Sequence, residues 1–453
     1  MSNNEATPAV GYKQELKREL GFWGVVLFGV AMMFPVAPVI LFGSVSYVSH
    51  GHMALAYLIA MIPMSFTAYS YGQMAGAFPV AGSAYSYTQR AINPYLGFLA
   101  GWAILLDYAL FPILNYIVIG LFTSMLFPSL PFLAVVAVAV VVVTVINLLG
   151  IKSLSRVNTF LVVLLFVVVI YFVVASLHTA VAPGGPGIGV TAFINAQELN
   201  FSTLLAGTAV ACFSFMGFDA MTTLAEEVKE PAKVLTKATV FVCLFMGLVF
   251  IVQAFCAQTM LPDFASLVPG DAQDGAFLNA AGAAGGNVLV TFMILAVVAG
   301  SLANAIDAQA GVSRVLYGMG RDHYIPNAVF AHLNKKTKVP TYTILICAVI
   351  GLIGSLVDLN TIVTMINFGA LTAFMCVNLS VIFHYFIRKR QRTGFSAVKY
   401  LAIPGLGFVT CFALFISLSM TAKTAGVVWL VIGAIVLAIA TKGFREQPKA
   451  LDM

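Results

Sequence analysis

Met32-Met33-Phe34-Pro35-Val36-Ala37-Pro38 stands in the middle of the first apolar stretch of this chain. Pro35 and Pro38 remove two backbone donors, and each ring clashes with the turn before it, so continuous helix is not expected there. A second interruption, Phe213-Ser214-Phe215-Met216-Gly217-Phe218-Asp219, lies within the sixth apolar stretch and sets a glycine beside an ionisable side chain. Interrupted backbone at membrane depth is tolerated only where it is buried in protein or lines a cavity. The two interruptions are five helices apart, at corresponding positions of two five-helix halves. That correspondence points to an inverted-repeat transporter with its site at the membrane midplane. Simple proline kinks would explain either break alone, but not the spacing.

Composition agrees with a membrane setting. The chain has 453 residues, 61% hydrophobic and only 9% charged, whereas a soluble protein usually devotes roughly a quarter of its residues to charge. Apolar runs of spanning length recur from Phe22 to Thr441, at about 22–48, 51–75, 94–126, 131–149, 157–180, 202–222, 238–259, 287–313, 340–357, 360–386, 398–420 and 424–441. The polar start and the length of the first apolar run argue against a signal peptide. On this twelve-span map, 22 of the 23 Lys and Arg residues fall on one side and only Lys423 on the other. The positive-inside bias makes that side cytoplasmic and both termini with it; adding or dropping one span would scatter the charges. The net charge of +6 is thus a sign of topology, and no nucleic-acid partner is inferred from it. The six cysteines, at unrelated spacings in apolar segments, read as small packing residues. The longest connections on the sparsely charged side, 181–201 and 260–286, read as solvated links, with a gating role as the other reading.

Three acids lie inside the spans, Asp107, Asp219 and Asp307, with no intramembrane Lys or Arg to pair with them. Each costs at least ~2.5 kcal/mol at the bilayer centre, so each is expected to face the bundle interior or water. Together they suit a proton or an ammonium group; protonated, hydrogen-bonded acids joining helices are the alternative. Phe213, Phe215 and Phe218 crowd the second break, and Tyr108 and Tyr116 lie on the third span. Most membrane aromatics are packing residues, but those beside a broken helix are placed to close over a substrate and offer cation–π contact to an amine. The half-helix after the first break would aim its N-terminal amides at the site, and freed carbonyls would accept from an ammonium. Tyr85 and Tyr87 precede the third span and read as gate or interface residues. Glu226 and Glu227 read either as a solvated loop or as an inner gate reaching the basic residues after the eighth span. A nucleophile–base pair, a metal cluster and a phosphate loop are all missing from the sequence, so neither an enzyme nor a cofactor is expected.

These residues resemble the amino acid–polyamine–organocation superfamily. The likeness is carried by Phe78-Pro79-Val80-Ala81-Gly82-Ser83-Ala84-Tyr85-Ser86-Tyr87, Gly97-Phe98-Leu99-Ala100-Gly101-Trp102, Gly217-Phe218-Asp219-Ala220 with Ala225-Glu226-Glu227, Tyr317-Gly318-Met319-Gly320-Arg321-Asp322, and Ile366-Asn367-Phe368-Gly369-Ala370-Leu371 with Val377-Asn378-Leu379-Ser380. Leu105-Leu106-Asp107-Tyr108 and the span-ten stretch look like those of bacterial putrescine importers. The resemblance implies an all-α, LeuT-type five-plus-five inverted repeat with two extra C-terminal helices, alternating access and proton-driven import. The divisions are then a segment 1–21, repeats 22–180 and 202–386, helices 398–441 and a tail 442–453. It also implies an aromatic lid at Phe213, an acid linked to exchange or protonation at Asp219, and a substrate-holding wall at Asp107.

The chain departs from its relatives at three places. Amino-acid carriers commonly have a small, Gly-rich first break that binds a carboxylate; the bulky Met33 and Phe34 here argue against one. Ile40 stands where putrescine importers carry an acid, and Leu165 where proton-coupled amino acid carriers often have a lysine. Asp307 is the candidate for the second charge or the coupling proton. The expectation is an inner-membrane importer of a small cationic amine, putrescine-like, with protons as coupling ion. Asp107, Tyr108, Met33, Phe34, Phe213, Phe215 and Asp219 would bind it, and Phe213, Tyr85, Tyr87, Glu226 and Glu227 would gate it. An amino acid transporter or exchanger of the same fold is the alternative. A receptor that binds an amine without moving it belongs to another class, and no stretch reads as a soluble signalling domain.

Overall fold

The backbone breaks where the prolines sit. Helix α1, Phe22–Met32, stops, Phe34 takes a left-handed φ of +56°, and α2, Ala37–Val48, leaves at 47° to α1 with Pro38 in its first turn. The structure is a computed structural model that describes residues 18–443 apart from 81, 322–324, 335 and 358. Lys13, Lys17, Lys335, Arg445, Lys449, Asp322 and Ala81 lie outside the described residues, as do most of segment 1–21 and all but the start of the tail.

The remaining helices are α3 Met53–Ala77, α4 Ala84–Ala91, α5 Pro94–Leu126, α6 Phe132–Leu148, α7 Ile151–Val181, α8 Phe201–Ala211, α9 Pro231–Met260, α10 Asp271–Asp274, α11 Ala276–Arg321, α12 Asn327–Phe330, α13 Thr341–Gly354, α14 Leu359–Val381, α15 Phe395–Ala397, α16 Ile403–Ser417 and α17 Met420–Ala440. Local chemistry sets several starts. Asn93 caps α5 by accepting from the Leu96 amide at 2.8 Å, with Pro94 in the first turn, where its missing donor costs nothing. Among the described residues there is no strand, only an isolated bridge between Leu20 and Val228. Nine helices there are long and apolar enough to cross a membrane, and the bent α1–α2 pair makes a tenth. Helices α6 and α13 are apolar but shorter, at 17 and 14 residues.

Helix α5 runs through the middle, packed against α11 and α14, while α3 lies along α9 and α7 along α11. The described cations gather at one end of the bundle, near Arg90, Arg314, Arg321, Lys338 and Arg388, with Lys423 at the other. These ends are called the basic face and the far face below. The six cysteines are free thiols, all buried except the half-buried Cys376. One expectation is corrected here. The connection 260–286 is not wholly solvated, because α11 begins at Ala276 and bends only at Gly285 and Gly286. Ala276, Ala280 and Ala281 form a buried small-residue face, and Phe277 packs against Phe42 of α2 and Phe172 of α7.

Candidate functional site

The two breaks touch. After α8 the chain tightens into a 3₁₀ turn at Cys212–Phe215, reverses at Gly217 with φ +109°, and continues as a second 3₁₀ turn, Phe218–Leu224. A Cβ on Gly217 would stand 2.7 Å from the Met32 carbonyl, so glycine is required there both by φ and by contact. The carbonyls freed by the first break do not wait for a cation in this structure. Asn304 of α11 donates to the Met32 carbonyl at 2.5 Å, and Gln253 of α9 donates to that of Pro35 at 2.9 Å. Asn115 of α5 in turn donates to Asn304 Oδ1 at 2.8 Å. Buried carbonyls need donors, and these amides satisfy them.

A cavity opens beside this junction. It is lined by Met32, Met33, Phe34, Ala37, Ile40, Leu41, Phe111, Leu114, Asn115, Val118, Phe213, Ser214, Met216, Asn304 and Val363, with about 630 Å³ of empty space counting its mouth. Its wall is apolar, with Asn115, Asn304 and Ser214 as the polar exceptions and no acid. Phe34, Ile40, Leu41, Leu114, Phe213 and Val363 are only half-buried.

The acids lie deeper. Asp107 is one turn along α5 from the lining residue Phe111, towards the basic face, and is 1% exposed. Asp219 is fully buried behind Gly217. Tyr108 donates to Asp219 Oδ2, and the Gly217 amide donates to Oδ1 at 3.3 Å. Asp107 lies within electrostatic reach of Asp219, and Tyr71 of both. Asp107 Oδ1 has no hydrogen-bond partner among the described residues. Asp107, Tyr108 and Asp219 are therefore brought together, under the cavity rather than in its wall.

The aromatic residues divide. Phe213 stacks on Phe111 with ring centroids 6.3 Å apart, across the cavity lining. Phe215 points away from the cavity: it is buried against Tyr57 and Phe250, and Tyr57 shares a 2.8 Å hydrogen bond with Ser214. It packs behind the turn that carries Phe213. Nearer the basic face, Tyr71 meets Tyr87, Phe218 and Phe374 edge-on, forming a buried aromatic layer. Tyr85 is buried against Gly101 of α5.

Asp307 does not join the other acids. Asn158 of α7 donates to its Oδ1 at 2.6 Å, while Asp307 Oδ2 and Asn158 Oδ1 have no partner among the described residues. Two turns further along α11, Arg314 Nε donates to Glu227 at 2.5 Å, and Arg321 reaches Glu226 at 3.0 Å. The Arg314–Glu227 side chains are 9% and 8% exposed. The Glu227 carbonyl also accepts from the Glu19 and Leu20 amides, tying the start of the chain to the same point.

Asn115, Asn304, Gln253, Asn158 and Tyr71 are absent from the residues that the sequence singled out. A signal existed for the four amides: a buried side-chain amide in an apolar span needs a partner and marks an interior face. Charge drew attention away from them.

A family model described as amino acid permease matches residues 24–442. The low-affinity putrescine importer PlaP of Escherichia coli (strain K12) is 36% identical over 451 residues, 98% of each chain. The branched-chain amino acid permease BcaP of Bacillus subtilis (strain 168) is 27% identical over 455 residues, 94% of each chain. The methylthioribose transporter of the same strain is 22% identical over 462 residues, 95% of each chain.

Proposed function

This chain belongs to the amino acid permease family of the amino acid–polyamine–organocation superfamily, a family of membrane transporters and not of enzymes, and we propose that it imports a small aliphatic amine of the putrescine type. The observation that carries this reading is an apolar cavity ending one turn from a buried acid with an open oxygen, Asp107. An alkyl chain would occupy the cavity between Met33, Phe34 and Phe213, and its ammonium would reach Asp107 beside Tyr108 and Asp219. To admit it, the side chains between Phe111 and Asp107 would have to part. A relative named as a putrescine importer, alike over almost the whole chain, supports the same substrate class.

We read α6 and α13 as spans as well, giving twelve, with α1–α7 and α8–α14 as the two inverted five-helix repeats and α16 and α17 as additions. The positive-inside bias puts the basic face in the cytoplasm of a bacterium and the termini with it. Alternating access would then use the ion pairs of Glu226 and Glu227, with the aromatic layer of Tyr71 and Tyr87, as the inner gate. The half-buried lining favours access from the far face in this state. Asp307, isolated from the other acids and joined to Asn158, is our candidate for the coupling proton.

Uptake of labelled putrescine into proteoliposomes under an imposed proton gradient tests the reading. Asp107→Asn should lower uptake at least about tenfold, the loss of one charged hydrogen bond; unchanged uptake would remove the ammonium role. Asp307→Asn should abolish the dependence on the gradient while leaving substrate exchange. The second reading, an amino acid carrier, is favoured by the acid-free lining with its amides Asn115 and Asn304 and by the relative named as a branched-chain permease. Competition by amino acids but not by their decarboxylated analogues would select it.

A further inference from the structure

A second recess lies at the basic face, away from the cavity at the breaks. Asn147, Gly150, Leu154, Glu227, Arg314 and Lys338 are among its lining, with Val339, Pro340 and Ile344 beside them, and its empty space is about 400 Å³ counting its mouth. Two helices begin here. Gly150, with φ +92°, precedes α7, and Pro340 precedes the 14-residue α13. Each brings unpaired amides and the positive end of its dipole. One helix ends here: α6 stops at Leu148, two residues before Gly150.

The side chains add a net positive charge. Arg314 and Lys338 face the recess against the single acid Glu227, whose Oε1 is already held by Arg314 Nε. Arg314 is 7% exposed, and its Nη1 is buried with no hydrogen-bond partner among the described residues. A guanidinium carries five donors, and leaving one buried and unmet is costly. A buried guanidinium nitrogen without an acceptor among the described residues thus lines the same recess as a second cation, Lys338, and two helix starts.

We propose that this recess binds a small inorganic anion, of chloride or phosphate type, against Arg314 Nη1 and Lys338. The anion completes the coordination of Arg314 while Nε stays on Glu227. It also supplies a counter-charge when that pair opens, so that the buried guanidinium is never left alone. This last consequence rests on reading Glu227–Arg314 as a gate; the binding itself does not.

The test is thermal unfolding of the purified full-length protein without organic substrate, titrated with sodium chloride or sodium phosphate against sodium gluconate at constant ionic strength. Gluconate, a bulky and weakly coordinating organic anion, serves as balance. An anion that binds only the folded protein raises the melting temperature along a saturating curve. We expect such a curve for chloride or phosphate, and the two series show which anion the recess takes. In Lys338→Gln the half-saturating concentration should rise about tenfold, the worth of one charged contact, whereas Lys423→Gln, at the far face, should leave it unchanged. Lys338 is half-buried at a turn outside the helices, so its replacement avoids the folding defect expected of an Arg314 variant. An equal response to gluconate, no response to either anion, or a curve that Lys338→Gln does not move would overturn the proposal. None of these results bears on putrescine uptake, which is measured separately.

Discussion

Arg314 and Glu227 show what a charge pair is worth once it leaves water. Both are about nine-tenths buried, so removing one partner strands the other without solvation. Glu227→Gln is expected to destabilise the protein by about 3–5 kcal/mol, read as a lowered unfolding midpoint, and a charge-swapped double variant should recover part of the loss. Lys233 and Glu230 form an exposed pair at 2.9 Å with side chains 80% and 64% exposed, so Lys233→Gln should shift the midpoint little or not at all. Single residues were unevenly legible. Glu226 and Glu227 were readable as partners for basic residues after the eighth span, because opposite charges on one face of a membrane find each other. Asp307's partner was not readable, because Asn158 lies 149 positions earlier and carries no charge.

At the scale of elements, the interruptions of α1–α2 and of the chain after α8 were readable, since proline and glycine act on the backbone locally. Gly217 shows the limit of that reading. Its φ of +109° belongs to the turn, but the Met32 carbonyl 2.7 Å from its missing Cβ belongs to the first break, far away in sequence. Gly394 has a φ of +55° with nothing within 4 Å, so it isolates the backbone part. Gly394→Ala should cost about 1 kcal/mol or less and leave uptake intact. Gly217→Ala must also push apart the two breaks and should lose uptake altogether. Equal uptake by the two variants would mean that the contact between the breaks is not needed. The helical start of α11 was missed for the opposite reason: Ala- and Gly-rich sequence with three acids reads as a loop, and only burial against α2 and α7 makes 276–284 a packed helix.

For the whole molecule, our proposal of access from the far face, argued from the half-buried lining there and the ion pairs at the basic face, can be tested by labelling. A cysteine introduced at Ile40, which lines the cavity and is half-buried, should react with a membrane-impermeant maleimide added from the far side. Putrescine should slow that reaction. A cysteine in place of the fully buried Thr222, on the other side of the breaks, should stay unlabelled. Labelling of Thr222→Cys alone would reverse the assignment of the open side. The native thiols give little background, since all but Cys376 are buried.

The sequence by itself determined that this chain lives in a membrane and where its first and sixth apolar stretches break. These follow from hydropathy and from proline and glycine geometry, which act residue by residue along the chain. Tertiary structure alone decided what surrounds the breaks. Met33 and Phe34, expected at the site, do line the cavity, but Asp107 and Asp219 lie beneath it, Phe215 behind it and Asp307 apart from it. The Met32 carbonyl, open to a cation in principle, is met by Asn304 from 272 residues away. Which donor reaches a freed carbonyl, and which acid faces empty space, depends on how helices distant in sequence are packed, and that is not written in any one stretch.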